Sequence, residues 1–126
     1  MTVVQQDDNR QTDILINQIV SYIQKNVSSV NNLDEIAQKF FISKYHLCHL
    51  FKKKKHITVY NFILKIKIEK AADLLRSTNK KIKEISDECG FNSEYYFSRR
   101  FFIETGITPS KYRKEFREYY KKMTLK

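Results

Sequence analysis

The side chains best able to do chemistry are concentrated in one short stretch, SKYHLCHLFKKKKH, at residues 43–56. This stretch holds all three histidines of the chain, one of its two cysteines and four consecutive lysines. Imidazole and thiolate groups bind zinc or act as base and nucleophile, whereas a run of ammonium groups attracts anions. The spacing of the residues helps to choose between these chemistries.

Zinc binding and catalysis are both disfavoured by this spacing. On a helix His46 and His49 share one side, while Cys48 lies about 100° away from His49. The chain contains no CxxC pair, no glycine-rich phosphate loop and no third group to orient a cysteine–histidine pair. We therefore expect no metal, no cofactor and no enzymatic activity.

Positive charge dominates the chain and is unevenly distributed. The formal net charge is +10, from 24 basic and 14 acidic side chains. Residues 1–40 hold three basic and five acidic side chains, whereas residues 41–126 hold 21 and nine. This imbalance predicts a polyanionic partner, with nucleic acid ahead of an anionic membrane surface. The chain has neither a bilayer-spanning apolar run nor a secretory start, so we expect a cytoplasmic protein whose Cys48 and Cys89 are reduced.

The composition predicts an all-α fold. The chain has only two glycines and one proline, and its apolar residues recur at three- and four-residue steps. We expect residues 1–12 to be disordered and a first helix to begin at Asp13. Its apolar stripe comprises Ile16, Ile19, Val20, Ile23 and Val27. Asn32 is expected to cap a short second helix, and Ser43 a third that runs to about Lys55.

The second and third helices form a predicted helix-turn-helix. Only Phe41 and Ile42 lie between them, which leaves room for no more than a tight turn. The inward side of the third helix consists of Leu47, Leu50 and Phe51. A long fourth helix, capped by Thr58, follows to about Ser77. Its expected apolar face consists of Phe62, Ile66, Ala71, Leu74 and Leu75.

The chain repeats this unit about 50 residues later. The corresponding segments are IAQKFFIS at 36–43 with ISDECGFNS at 85–93, SKYHLCHLF at 43–51 with SEYYFSRRF at 93–101, and HITV at 56–59 with GITP at 106–109. The repeat predicts that Phe51 and Phe101 are buried equivalents. It also pairs His56 with Gly106, so we interpret His56 as a helix C-terminal cap with positive φ rather than as a ligand.

Residues from about 31 to 116 resemble the DNA-binding domain of the AraC/XylS family of bacterial transcription regulators. The most specific match is IKEISDECGFNSEYYFSRRFFIETGITPSKYR at 82–113. Its family-like residues include Gly90 and Phe91 in the turn, Tyr96 and Phe97 in the helix, Gly106, Thr108, Pro109, Tyr112 and Arg113. The chain departs from the usual pattern at His56, Lys67, Arg100 and Phe102.

The resemblance implies a specific architecture of about seven helices, with two helix-turn-helix subdomains joined by a long linker helix. The expected segments are a disordered 1–12, a first subdomain at 13–57, the linker at 58–77, a second subdomain at 78–120 and a tail at 121–126. The resemblance also implies that helices 44–55 and 94–105 enter two adjacent segments of the major groove of double-stranded DNA. One chain would then bind as a monomer to an asymmetric site, with the two segments about 34 Å apart.

Helical geometry identifies the outward side chains that would meet the DNA. The residues expected to face bases are Tyr45, Cys48, His49, Glu94, Tyr95, Ser98 and Arg99. Of these, Arg99 can form two bonds with guanine, and Tyr45 can reach a base edge, a thymine methyl or a phosphate. The residues expected to contact phosphates are Lys44, Lys52, Lys53, Lys80, Lys81 and Arg100.

Two hypotheses from different classes remain open. The first is a sequence-specific transcription regulator, an activator as most of the family are, that contacts RNA polymerase. The second is a protein-interaction module of the same fold that has lost operator binding. Arg99 and the basic character of residues 41–126 favour the first hypothesis. The sequence identifies neither an effector nor a target gene.

Overall fold

The computed structural model describes residues 2–30 and 32–124, with side chains from Asn9 onward. The described residues form seven α-helices. The helices are α1 (Thr2–Lys25), α2 (Leu33–Lys39), α3 (Lys44–Lys55), α4 (Val59–Ser77), α5 (Ile82–Glu88), α6 (Glu94–Thr105) and α7 (Pro109–Thr124). The predicted all-α fold is confirmed. None of these helices is both long and apolar enough to cross a bilayer.

The chain divides into two compact units, Met1–Ile63 and Leu64–Lys126. The division falls inside α4 rather than at either of its ends. The reason lies in packing, because Val59 and Ile63 enter the core of the first unit and Leu64 begins the contribution of α4 to the second. We refer to these two parts of the chain as unit 1 and unit 2.

Unit 1 has a core built by α1, α2, α3 and the start of α4. Its buried residues are Ile16, Ile19, Ile23, Val30, Ile36, Ala37, Leu47, Phe51, Val59 and Ile63. The predicted stripe of α1 is buried except for Val20, which packs half-buried against this core. Phe62 was expected inside but is also half-buried, its ring centroid 5.3 Å from that of Phe51.

Unit 2 has its own core, formed by α4, α5 and α6 with support from α7. The buried residues are Leu64, Ile68, Ala71, Leu75, Ile85, Cys89, Phe91, Phe97 and Phe101. Phe101 and its repeat equivalent Phe51 are both 0% exposed, as the repeat predicts. The predicted face of α4 is correct at the buried Ala71 and Leu75 and at Leu74, which packs half-buried against this core. Ile66 is half-buried and belongs to neither core, because α4 serves two cores in succession.

Both ends of the chain differ from the sequence-based expectation. Helix α1 begins at Thr2, so it extends through most of the segment 1–12 that was predicted to be disordered. The segment is polar but holds no proline or glycine, and a polar stretch without these residues can continue a helix that is anchored further along. Helix α7 likewise continues to Thr124, four residues into the predicted tail at 121–126. Residues 125 and 126 lie outside the described residues.

The two helix-turn-helix turns are built alike. Phe41 and its equivalent Gly90 both have positive φ, at 58° and 85°. The next amide donates back across the turn in each unit, from Ile42 N to Ala37 O and from Phe91 N to Ser86 O, both at 3.0 Å. This is the bond pattern of a helix that ends in a left-handed residue. The repeat seen in the sequence is therefore also a repeat of backbone hydrogen bonds.

The helices that follow these turns are capped at both ends as predicted. The hydroxyl Oγ of Ser43 accepts from His46 N, and that of Ser93 accepts from Tyr96 N, each at 3.0 Å. At the other end His56 has φ 63° and Gly106 has φ 85°. The interpretation of His56 as a left-handed cap is confirmed.

Candidate nucleic-acid interface

The outward face of α3 carries the residues that the sequence assigned to it. Tyr45 is 79% exposed, His49 is exposed and Cys48 is half-buried. The rings of Tyr45 and His49 stack, with centroids 5.9 Å apart and an interplanar angle of 8°. Lys52 and Lys53 are exposed one turn further on, and Lys44 is exposed at the start of the helix. The five exposed residues are therefore available to a partner that approaches α3 from outside, whereas Cys48 also packs against the core of unit 1.

These side chains surround a shallow recess of about 450 Å³. Its lining residues are Tyr45, Cys48, His49, Lys52, Lys53 and Thr58. Thr58 comes from the segment before α4, where its hydroxyl caps the helix by accepting from Asn61 N at 3.1 Å. The recess is thus placed by the junction of α3 with α4.

The four lysines at the end of α3 differ in their contacts and in their exposure. Lys54 is paired with Asp13 of α1, its Nζ 3.1 Å from the carboxylate Oδ1. Lys52 lies along the helix end, with Nζ 3.5 Å from the carbonyl oxygen of His56. Lys53 and Lys55 are exposed. The run is therefore partly structural, and Lys52 and Lys53 are its members on the outward face.

The outward face of α6 combines polar and apolar side chains. Glu94 and Arg99 are exposed, Ser98 is half-buried, and Tyr95 is 75% exposed. Tyr96 packs against the core of unit 2, so Tyr96 rather than Tyr95 is the inward tyrosine. The side chain of Arg99 is exposed on α6 at the position that corresponds to His49 on α3 of unit 1.

Three of the residues expected to contact phosphates have roles inside unit 2. Arg100 donates to Glu104 Oε1 at 3.1 Å, and its side chain is only 21% exposed. Lys80 donates to Glu88 Oε2 at 2.6 Å, which raises the pKa of Lys80 and lowers that of Glu88. Lys81 is the N-cap of α5, and its backbone amide donates to Glu84 Oε1 at 3.2 Å. Arg100 is more enclosed than expected, because position 100 lies between the outer face and the core.

Lys67 holds the turn that precedes α6. It is 6% exposed, and its Nζ donates to the carbonyl oxygen of Gly90 at 3.0 Å. The ammonium group also lies 5.6 Å from the ring centroid of Phe91. Burial lowers the pKa of Lys67, although the charge is partly compensated by these contacts. Nearby, burial raises the pKa of the Cys89 thiol to about 11, so that thiol stays protonated and unreactive.

Arginines of α7 fasten that helix to the end of α4. Arg113 Nε donates to Leu75 O at 3.1 Å, and Arg117 donates to Thr78 O at 3.0 Å. Arg76 of α4 in turn donates to the Tyr112 hydroxyl. These bonds satisfy carbonyl groups at the C-terminus of a helix, where cations are favourable. They fix the core against which α6 packs.

Ile103 and Phe41 are exposed apolar residues that were not assigned to the interface from the sequence, whereas Phe102 stood out as a departure from the usual family pattern. Ile103 is 57% exposed beside Phe102, which is 52% exposed. In the repeat these two positions of α6 correspond to Lys52 and Lys53 of α3, so comparing the two units position by position would have revealed them. Phe41 is 94% exposed and has a positive φ. Its alignment with Gly90 is the feature of the sequence that predicts this backbone conformation.

The geometry does not favour a metal centre. Among residues 2–30 and 32–124, no three histidine, cysteine, aspartate or glutamate side chains come together as a metal site requires. Cys48 and Cys89 are both free thiols. What the arrangement offers is two exposed helix faces, each following a tight turn and each bearing at least one cationic side chain. Helix-turn-helix units of this kind are typical of proteins that use the second helix of each unit as a recognition helix.

Comparison with known proteins identifies the family. The model of a family described as "Helix-turn-helix domain" matches residues 36–115. A solved AraC-type DNA-binding-domain regulator from Chromobacterium violaceum is 27% identical, with a TM-score of 0.76 over 84% of this chain and 95% of that one. The C-terminal domain of AraT, a response regulator from Geobacillus stearothermophilus, is 32% identical, with a TM-score of 0.76 over 80% and 84%. The chain belongs to the AraC-type helix-turn-helix family of transcription regulators.

Sequence relatives agree with this assignment. The HTH-type transcriptional regulator YfiF of Bacillus subtilis is 38% identical over 82% of this chain and 33% of its own length. The HTH-type transcriptional activator AarP of Providencia stuartii is 33% identical over 79% of this chain and 73% of its own. The chain thus spans about a third of the length of the first relative and nearly three quarters of the second. The similarity covers the two helix-turn-helix units.

Proposed function

We propose that this protein is a sequence-specific DNA-binding transcription regulator that places α3 and α6 in two adjacent segments of the major groove. The observation that carries the proposal is the matching outward exposure of two capped helices, each directly after a turn of the same hydrogen-bonded form. An α-helix fits the major groove and presents its outer side chains to base edges. Membership of the family leads us to expect DNA binding, and the exposed side chains indicate which residues would contact the DNA.

The proposed roles follow from the side chains. Arg99 donates two hydrogen bonds to a guanine, while Glu94 accepts from a cytosine amino group or orients Arg99. Lys44, Lys52 and Lys53 bind phosphates and supply affinity that does not depend on sequence. Lys80 and Arg100 would have to exchange their carboxylate partners for phosphates, so we expect them to contribute less than Lys52.

We further propose that the regulator acts as an activator, in the cytoplasm, by contact with RNA polymerase after binding DNA as a monomer. The support is the name of the AarP relative and the presence of two recognition helices in one chain. The other hypothesis raised by the sequence, an interaction module without operator binding, draws no support from the exposed Arg99 and lysines. Transcription in vitro from a bound promoter, with and without the protein, tests activation separately from binding.

The proposed DNA binding is tested by selecting duplexes from a random pool and measuring their affinity at a stated salt concentration. We expect the selected duplexes to share one sequence and to bind at least about a thousandfold more tightly than unrelated DNA. Binding of similar strength to all duplexes, or no enrichment, would contradict the proposal. Because phosphate contacts dominate non-specific binding, the comparison is made at physiological ionic strength.

A further inference from the structure

The reading faces of the two units differ at equivalent positions. The segments SKYHLCHLF and SEYYFSRRF pair Tyr45 with Tyr95, Cys48 with Ser98 and His49 with Arg99. Unit 2 therefore has a hydroxyl and a guanidinium where unit 1 has a thiol and an imidazole. Among the common readers, bidentate hydrogen bonds to purines come from arginine, lysine, asparagine and glutamine. None of Tyr45, Cys48 and His49 can form them.

What unit 1 offers in their place is an apolar recess with aromatic walls. The recess of about 450 Å³ is bordered by the rings of Tyr45 and His49 and by the half-buried Cys48. The stacking of the two rings, 8° from parallel, holds them side by side on the helix surface. A thiol is only a weak hydrogen-bond donor and behaves as a small apolar group.

The major groove presents one apolar group that fits such a recess, the C5 methyl of thymine. Removing a methyl from water into contact with ring and thiol surfaces is favourable by roughly the amount for one buried CH₂. The lysines that also line the recess, Lys52 and Lys53, are exposed and suit the neighbouring phosphates. A thymine-bearing segment therefore matches the α3 face, both in its apolar centre and in its charged edge.

We propose that unit 1 recognises thymine methyl groups through the recess formed by Tyr45, Cys48 and His49, so that its half of the binding site is read by apolar contact. Unit 2 reads its half by hydrogen bonds from Arg99. This inference rests on the proposed function, because it requires that α3 enters the major groove. It adds which chemical group of the DNA gives unit 1 its specificity.

The test replaces single thymines by uracil in the selected duplex, which removes only the methyl group and keeps base pairing. We expect one or two positions in the segment contacted by α3 to lose about fourfold in affinity, the factor that corresponds to one buried methyl. At those positions cytosine should bind more weakly than thymine, and 5-methylcytosine should recover part of the loss because it carries the same methyl.

Variants of the protein separate direct contact from changes in DNA shape. Tyr45→Ala, at a side chain that is 79% exposed, should weaken binding to the thymine duplex and abolish its sensitivity to uracil. The matched control Tyr95→Ala, at the equivalent 75% exposed position of α6, should keep the uracil sensitivity. Cys48→Ser should reduce the sensitivity, since a hydroxyl binds water more strongly than a thiol does.

Three results would contradict the inference, and only the last of them would also contradict the proposed function. Sequence-specific binding without any uracil-sensitive position would overturn the inference while leaving the proposed function intact. Uracil sensitivity that survives in Tyr45→Ala would assign the effect to DNA shape and would also overturn it. A failure of the random pool to yield any preferred duplex would overturn both the inference and the proposed function.

Discussion

At the scale of single residues, Arg99 and the lysines are proposed to make different kinds of contact with DNA. Arg99 is exposed on α6 in a position that its repeat equivalent His49 occupies on α3. A bidentate contact with a base discriminates between sequences, whereas a contact with a phosphate does not. The two kinds of residue should therefore respond differently when they are removed.

Arg99→Ala should relax preference at one base pair by about 1–3 kcal/mol, because it removes two directional hydrogen bonds. Lys52→Ala should instead weaken binding to all sequences alike and lower the slope of log K against log salt by about 1. Affinities of both variants for a set of single-base-changed duplexes at several salt concentrations measure this. A uniform loss with unchanged preference in both variants would contradict the assignment of Arg99.

His56 gives a residue-scale prediction about stability. Its φ of 63° is a conformation that costs an L-residue about 1–2 kcal/mol and costs glycine little. His56→Gly should therefore raise the free energy of unfolding, by somewhat less than that amount because glycine also gains entropy in the unfolded chain.

The matched variant is Gly106→Ala, where a Cβ would meet nothing within 4 Å. It should lower the free energy of unfolding by about 1 kcal/mol through backbone strain alone. Denaturant unfolding of both variants checks the pair. A destabilised His56→Gly variant would show that the histidine side chain has a stabilising role of its own.

At the scale of elements, the turn before α6 depends on a helix that is distant in sequence. Lys67 of α4 donates to Gly90 O across 23 positions of the chain. Without that donor, the carbonyl oxygen of Gly90 in this partly buried turn would lose its hydrogen bond from Lys67. The position of α6, and with it that of Arg99, should therefore be sensitive to a change in α4.

Lys67→Met should lower the free energy of unfolding of unit 2 by about 1–3 kcal/mol, the usual cost of leaving a buried polar group unpaired. It should also speed the chemical labelling of Cys89, which is 0% exposed and has a thiol pKa raised by burial to about 11. The measurement uses a Cys48→Ala background so that Cys89 is the thiol observed. Lys65→Met, an exposed lysine of the same helix, is the control and should leave labelling unchanged.

If Cys89 were labelled equally fast in the Lys67→Met and Lys65→Met variants, the role given to the bond with Gly90 would be wrong. A stability loss that is confined to unit 1 would have the same meaning. Either result would indicate that the backbone bond from Phe91 N to Ser86 O is enough to hold the turn.

The elements could be predicted from the sequence where the signal is local. Helix caps depend only on neighbouring residues. The repeat shows the same pattern twice, with serine N-caps at Ser43 and Ser93 and left-handed C-caps at His56 and Gly106. The buried face of α4 was only partly predictable, because the helix turns one set of residues to unit 1 and the next set to unit 2. A single helical period cannot represent two cores in succession.

The candidate interface was predictable as a list of outward residues but not as a surface. Helical spacing placed Tyr45, His49 and Arg99 outside, and the structure agrees. Spacing could not show that Lys54 pairs with Asp13, a residue 41 positions earlier in α1, because that contact depends on tertiary packing. The recess beside Cys48 also needed the position of Thr58, which is set by the junction of two helices.

At the scale of the whole molecule, the proposal is that one chain supplies both recognition helices. A regulator with a single helix-turn-helix usually dimerises to reach two major-groove segments, which makes its operator palindromic. We propose that this chain, with two such units, binds its site without a second copy. Its site should be asymmetric, with two contacted segments about one helical turn apart. If the protein bends the duplex, flexible pyrimidine–purine steps between the segments should improve binding without being touched.

The most direct test is footprinting of the selected duplex with protein of known stoichiometry. We predict that one chain protects two segments of a non-palindromic site, and that Tyr45→Ala and Arg99→Ala each weaken protection of a different segment. Two chains bound to an inverted repeat, each protecting a single segment, would contradict the proposal that α3 and α6 of one molecule read the DNA together.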